Sequence, residues 1–448
     1  MRTTKDPDFK LILFGIGLSL LAFFSNIWLV GALALISIYL YASWKRVEVL
    51  LVPLAFFVFI DFAIKTYPLG IGGWWDELFL IVLFSFLFIH KVRLQAFSFK
   101  TSHIIYPVVL FVVLGFLSTL ISPHITLAQG IEGIRAVTQC FLFLLVILNA
   151  PISKKATRGL LLIILVAGSI TAGYGIYQYI TGVPNPPHWL DRDLEVGLSR
   201  AFSFLGSPNA FAGYGILLAP IALGFLFRKD TPFSHKLIFG IIFLILAAGV
   251  FSSLTRAAWV AMVPALMLFG ILIKKTQWML GFLVVLLVLA SFSAPVRTRF
   301  ANLFTEQYQE KSEIGGRNYR WNLAIAIFEE NPLLGRGPGS YGGAVAYRAQ
   351  AFQGLYVDNF YLQILSNFGF LGFMAFLWIL IEIFRYLIFS AKKALERDRI
   401  IIYGALCGVV AFLTHNVTEN LIEVIPLAVI FWAIIGLAGQ LSTSEREL

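Results

Sequence analysis

Apolar runs of membrane-spanning length follow one another along this chain, separated by short polar breaks. They begin near Leu11, Trp28, Val47, Leu78, Ile104, Ile131, Gly159, Asn209, Leu237, Ala257, Met279, Asn367, Ile400 and Leu421. At roughly 20 residues per crossing they predict about 14 transmembrane helices, or about 12 to 13 if the first two form a hairpin or a broken span. The runs are continuous rather than alternating, which excludes a β-barrel. The expected fold class is all-α, a polytopic integral membrane protein.

Basic residues orient this threading. With the N-terminus cytoplasmic, the inside loops hold Lys45-Arg46, Lys91 and Arg93, Lys154-Lys155 and Arg158, Arg228-Lys229 and Lys236, Lys274-Lys275, and Lys392-Lys393 with Arg397 and Arg399. Every basic cluster in a short loop falls on one side, as the positive-inside rule requires. Both termini are then cytoplasmic. The outward segments are 65–76, 122–129, 181–208, the tight turn 252–256, a long loop from Pro295, and 414–420. The N-terminal run is expected to be an uncleaved first span, because no small-residue cleavage site follows it.

The long polar loop, 295–357, is expected to be an external subdomain inserted into a single membrane domain, 1–448. Loops of that length usually have a function of their own. Within it, Trp321, Ala324, Ile325 and Phe328 recur at helical spacing among Asn318, Arg320, Asn322, Glu329 and Glu330. This predicts an amphipathic helix over 317–330, lying on the bilayer surface and ended by Asn331-Pro332. The glycine-rich turn that follows, Gly335-Arg336-Gly337-Pro338-Gly339, lacks the strand-turn-helix setting of a dinucleotide fingerprint. Its glycines suit tight turning or close backbone approach to a ligand.

Composition agrees with the pattern. Of 448 residues 59% are hydrophobic and 13% charged, with mean hydropathy +0.85, too apolar for a soluble domain. The 43 Phe and 10 Trp suit lipid-facing and interfacial positions. The formal charge of +10 does not point to nucleic acid. Its Lys and Arg sit in short loops, where they set topology and attract anionic lipid. Cys140 and Cys407 lie inside apolar runs and read as buried small hydrophobes, with neither metal spacing nor a disulfide framework.

Against this background a few polar residues stand out. Arg256 follows a turn of almost no polar length, Ser252-Ser253-Leu254-Thr255, and the next span starts at once. A guanidinium costs about 2.5 kcal/mol or more at a helix centre, so it usually faces a cavity and a partner; the alternative is snorkelling to the headgroups. Arg200 precedes Ser207-Pro208-Asn209, which reads as a capped helix start. An arginine beside a helix N-terminus suits an anion, though it also reads as an ordinary loop cation. Two outward arginines at the membrane rim suggest a diphosphate, which guanidinium binds through paired hydrogen bonds. Arg317, Arg320 and Arg336 are candidates for further contacts.

A hydroxyl acceptor also needs a base. Asp358, in Asp358-Asn359-Phe360-Tyr361-Leu362, stands where the loop re-enters the membrane; it reads as a proton acceptor or as a helix cap. His415, Glu419 and Glu423 are the other candidates, with His415 either a proton shuttle or the cap of its helix. Asn416-Val417-Thr418 matches a glycosylation sequon, a short pattern beside the membrane that carries little weight.

Together these residues resemble the O-antigen ligase and Wzy-type polymerase superfamily of bacterial membrane glycosyltransferases, from about Arg200 to Gly372. The carrying pieces are Arg200 with Ser207-Pro208-Asn209-Ala210, then Leu254-Thr255-Arg256-Ala257-Ala258-Trp259. Gly316-Arg317 with Trp321, and Asn331-Pro332-Leu333-Leu334-Gly335-Arg336-Gly337-Pro338-Gly339, come next. Asp358-Asn359-Phe360-Tyr361-Leu362-Gln363-Ile364-Leu365 with Gly369 and Gly372 completes the set.

The resemblance implies a GT-C-like helical fold and a metal-independent, inverting glycosyl transfer without a cofactor. The donor would be an undecaprenyl-diphosphate-linked glycan on the outer face of the cytoplasmic membrane. Arg200 and Arg256 would hold the diphosphate, Asp358 would serve as base, orient another group or bind sugar hydroxyls, and Asn359, Tyr361 and His415 would line the substrate site. The implied partners are the glycan donor, a glycan acceptor, membrane lipids, and a flippase or chain-length regulator, with no nucleic acid. Ligases carry His-Asn-x-Tyr-Leu where this chain has Asp358. That departure resembles the polymerases of Gram-positive exopolysaccharide and teichuronic-acid pathways. Three functions follow in order: polymerisation of lipid-linked repeat units, ligation of a finished glycan to a lipid or protein acceptor, and small-solute transport of the inorganic-carbon kind. The last would need broken helices in paired repeats, and no persuasive pair is visible.

Overall fold

The computed structural model describes residues 27–67, 73–93, 95, 99–184 and 199–442. The first apolar run, part of the 181–208 segment and the chain's last six residues lie outside them.

Each expected run from Trp28 onward corresponds to a helix or a bent helix pair. In chain order these are α1 (Ile27–Lys45), α2 (Val47–Ala55), α3 (Phe57–Thr66), α4 (Trp75–Arg93), α5 (Ile105–Ile121), α6 (Leu127–Thr138), α7 (Phe141–Asn149), α8 (Lys154–Thr181), α9 (Pro208–Leu226) and α10 (Phe233–Ser252). They continue with α11 (Arg256–Leu272), α12 (Thr276–Phe292), α13 (Ala294–Ala301), α14 (Glu306–Glu313), α15 (Arg317–Glu330), α16 (Ala344–Arg348), α17 (Phe360–Lys393), α18 (Glu396–His415) and α19 (Ile425–Gln440). Among the described residues no strand forms, only an isolated bridge of Gly342 with Tyr356.

Five of these helices, α8, α9, α10, α17 and α18, are long and apolar enough to cross a bilayer alone, and the count reaches 7 if α2–α3 and α6–α7 each form one bent span. The expectation was about 12 to 14. The difference has several sources: the runs near Val47 and Ile131 bend by 62° and 49° at their breaks, α5, α11, α12 and α19 are shorter apolar helices, the first run lies outside the described residues, and neither α1 nor α4 is among the counted spans. Hydropathy registers a run's length but not a bend within it.

At the centre lies α9, almost wholly buried between α18 and α10. Helices in lipid approach closely only where side chains are small. Gly408 meets this need: a Cβ there would fall 2.2 Å from the Leu217 carbonyl oxygen of α9. Cys140 and Cys407 are both buried and free.

The two ends of the bundle differ. At one end the loops assigned inward meet: Arg158 pairs with Asp398 at 2.8 Å and Lys229 with Glu396 at 2.7 Å. The outward-assigned turns meet at the other, as described below. Helix α15 spans the residues expected of the amphipathic helix, but its buried side differs. Ala324 and Ile327 pack with Tyr341 and Val357 in a small core of the loop itself, while Ile325 is 41% exposed. The loop's own tertiary packing chose the inner face.

The glycine-rich turn also has a different use from ligand approach. Helix α17 breaks at Gly369, where φ is +66°. The turn lays its backbone into that break: Arg336 N–H donates to Ser366 O, Gly337 N–H to Asn367 O, and Phe370 N–H to Pro332 O, at 2.9, 3.0 and 2.8 Å. Polar groups freed by the break are satisfied by the loop, which pins it to the scaffold. Gly335 and Gly369 touch backbone to backbone, and a Cβ on either would fall within 2.4 Å of the other strand of chain.

Candidate functional site

The site grows out of the turn between α10 and α11. Leu254 takes a left-handed conformation there, with φ +51°, and the turn's carbonyls point at two arginines. Arg200 Nε donates to Ser253 O at 3.1 Å, and Arg299 Nε donates to Leu254 O at 3.2 Å. A second nitrogen of Arg200 reaches Asn209 Oδ1 at 3.0 Å and Thr255 Oγ1 at 3.3 Å. Asn209 is placed for this by the start of α9. Ser207 caps that helix, as expected, accepting from Ala210 N–H, and Pro208 opens it. Arg256 begins α11; it donates to Arg299 O at 2.6 Å and lies 5.4 Å from the ring centre of Tyr308.

These side chains line one hollow of about 920 Å³, its mouth included. Around it stand Arg200, Arg256, Arg299, Lys311, Arg317 and Arg320, with Asp358 and Glu419 as the lining carboxylates. Six cations against two carboxylates make a site for an anion. Both carboxylates lean on α15. Asp358 Oδ2 is 2.7 Å from Arg320 and 4.0 Å from Arg317 Nε. Glu419 Oε1 accepts from Arg317 at 3.2 Å and from the Asn209 amide. Burial first, and then the Asp358 charge, push the Glu419 carboxyl up to about 8. Such a group holds or releases a proton near neutral pH.

A second space is lined by close sequence neighbours of Arg256 and Arg299. It is an apolar groove of about 1380 Å³ between α10, α11, α12 and α13, lined by Phe251, Trp259, Val263, Leu266, Leu283 and Phe300 among others. Trp259 lies one turn beyond Arg256, and Phe300 follows Arg299. Their rings are 5.9 Å apart on the wall of the groove. Among the described residues no group of three or more His, Cys, Asp and Glu side chains is disposed to hold a metal ion.

Of the expected site residues, Arg200, Arg256, Arg317, Arg320 and Asp358 share the hollow. Four others lie outside it. Arg336 pairs with Glu330 at 3.3 Å and covers the Phe352 ring. Asn359 caps α17, accepting from Leu362 N–H at 3.1 Å. Tyr361 donates to Leu413 O at 2.9 Å. His415 is fully buried, and neither ring nitrogen has a hydrogen-bond partner among the described residues. Packing within the loop has taken up Arg336, and helix packing the other three. Glu423 is half-buried and likewise engaged by the scaffold, accepting from Ala344 N–H at 2.8 Å. The pattern reading did not single out Arg299, Lys311 or Tyr308. Their only local signal is position in a polar loop that closes over the α10–α11 turn.

Residues 241–377 match the family model Wzy_C, described as O-antigen ligase. The match supports the resemblance read from the motifs. It takes in Arg256, Arg299, Arg317, Arg320 and Asp358, and leaves Arg200 and Glu419 outside its bounds. No curated protein matches the chain.

Proposed function

We propose that this protein is a membrane glycosyltransferase that polymerises glycan repeat units carried on undecaprenyl diphosphate. It works at the external face of a bacterial cytoplasmic membrane, with both termini inside. The observation that carries the reading is an arginine-rich hollow with an apolar groove lined by its sequence neighbours, Phe300 next to Arg299 and Trp259 one turn from Arg256. Diphosphate suits the first and an isoprenoid chain the second, so a lipid-diphosphate donor matches both.

Arg200, Arg256 and Arg299 hold the diphosphate and stabilise the charge that develops on it as the glycosidic bond to phosphate breaks. An acceptor sugar hydroxyl attacks the anomeric carbon, inverting it, and its proton passes to the carboxylate pair. Asp358 and Glu419 both reach Arg317; burial and the Asp358 charge favour a proton on Glu419 while the arginines oppose it, which leaves Asp358 as the ionised acceptor. Asp358 at the position of the ligases' histidine supports polymerisation. The family model's description, O-antigen ligase, favours the second reading, transfer of a finished glycan to another acceptor. It lends nothing to solute transport.

Purified protein incubated with a defined undecaprenyl-diphosphate oligosaccharide tests this. The expected result is a ladder of extended products, absent for Arg200→Ala and Arg256→Ala variants that insert normally. Normal ladders from both variants would refute it. Unextended donor that is instead consumed when a different acceptor is added would establish the ligase reading.

A further inference from the structure

Two shallow depressions continue from the hollow across the outer side of α14 and α15. The first, about 710 Å³, shares Tyr308, Ser312 and Arg317 with the hollow and adds Gln309, Asn318 and Trp321. The second, about 700 Å³, shares Asn318 and Trp321 with the first and adds Tyr319, Asn322 and Glu313. The three form one track, each step joined to the next by side chains that line both.

The chemistry changes along the track. Six cations surround the hollow. The first depression keeps Arg317 alone of these, and the second has no cation among its lining residues, only Glu313. Rings and carboxamides replace the charge: Tyr308, Tyr319 and Trp321 alternate with Gln309, Asn318 and Asn322. Sugar rings have apolar C–H faces that lie on aromatic rings and hydroxyls that pair with carboxamides, which both donate and accept. The Trp321 ring is held in place, because its indole N–H donates to Val357 O at 3.0 Å and its edge packs on the loop core. Tyr319 and Asn322 are exposed.

We infer that α14 and α15 carry a binding track for an uncharged oligosaccharide, namely the glycan attached to the diphosphate held in the hollow. The inference rests on the proposed function above and adds to it a place and a chemical class for the sugar. The glycan leaves the hollow past Tyr308 and runs over Trp321 towards Tyr319 and Asn322. Glu313 and the fall in positive charge select against acidic sugars.

The test uses the full chain in lipid nanodiscs and two probes. One is a neutral oligosaccharide of hexose and N-acetylhexosamine joined through diphosphate to a short isoprenoid; the other is the same isoprenyl diphosphate without sugar. The glycosylated probe is expected to bind more tightly. The double variant Tyr319→Ala/Asn322→Ala should weaken it by about tenfold, the equivalent of two ordinary polar contacts, and leave the sugar-free probe unchanged. Arg256→Gln should weaken both probes. Equal binding of the two probes, or a double variant that binds the glycosylated probe like the parent, would overturn the track and leave the diphosphate reading standing. Sugar-free probe that fails to bind, or binds regardless of Arg256→Gln, would sink the diphosphate reading itself. A double variant that loses only a free oligosaccharide offered as acceptor would overturn the donor assignment.

Discussion

Arg256 donates a hydrogen bond at 2.6 Å to the carbonyl oxygen of Arg299, a residue 43 positions further along the chain. Two guanidinium groups from different helices are thereby held on one wall, although like charges repel. Such an arrangement persists because the surrounding carbonyls and the packing hold it, and it favours whatever anion relieves it. Replacing Arg299 by Ala should lower product formation on the order of a hundredfold, the usual scale for a lost charge-stabilising donor. Arg256→Lys should recover only part of what Arg256→Ala loses, because an ammonium lacks the planar fork. Ladder formation at matched membrane levels checks both, and unimpaired Arg299→Ala activity would remove that residue from the site.

Glu419 should make stability depend on pH in a particular direction. Its carboxyl titrates near 8 in the fold against an ordinary 4.5. Between those values the folded protein holds a proton that the unfolded chain has released, so stability falls as pH rises through the window. Below it the contribution is fully present; above it, fully lost. Glu419→Gln removes the ionisation. Its melting temperature should therefore exceed the parent's at the alkaline end of the window, while activity drops. Parallel melting curves for parent and variant across that range would contradict the assignment.

The Asp358–Arg320 ion pair is partly buried, with side-chain exposures of 23% and 13%. Breaking it strands a cation, at a cost of about 1 to 3 kcal/mol. Asn is the appropriate replacement, since residue 358 has φ +47° and Asn tolerates that region. Asp358→Asn combined with Arg320→Gln should cost less than the two single changes added together, by about 1 kcal/mol. A double-mutant cycle on denaturation in detergent would measure this, and strict additivity would mean that the pair is not coupled.

Gly369 tests the clamp between the loop and α17. A Cβ there would lie 2.4 Å from the Gly335 nitrogen, at a φ that L side chains rarely adopt. Gly369→Ala should destabilise the protein by more than about 3 kcal/mol. Gly240→Ala, on α10 with nothing within 4 Å of its Cβ position, should be neutral or slightly stabilising. Thermal melts of both in the same detergent make the comparison.

The sequence by itself determined that the chain is built of apolar helices, because hydrophobic length acts locally. It determined the 317–330 helix and the cap at Ser207, for the same reason. It also marked Arg200, Arg256, Arg317, Arg320 and Asp358 as unusual, since charge beside an apolar run is costly wherever the chain goes next. Only the tertiary structure decided which polar residues face the hollow. Asn359, Tyr361 and His415 sit next to marked positions, yet the packing of α17 and α18 spends them on a cap, a carbonyl and a buried ring. Arg299 and Lys311 have no local pattern, and enter the site because α13 and α14 fold back over a turn more than forty residues earlier. The bends in α2–α3 and α6–α7 were equally hidden, since a periodic apolar run reads the same straight or broken. A side chain's identity sets what chemistry it can do, but its neighbours, brought from distant parts of the chain, set whether that chemistry is free to act.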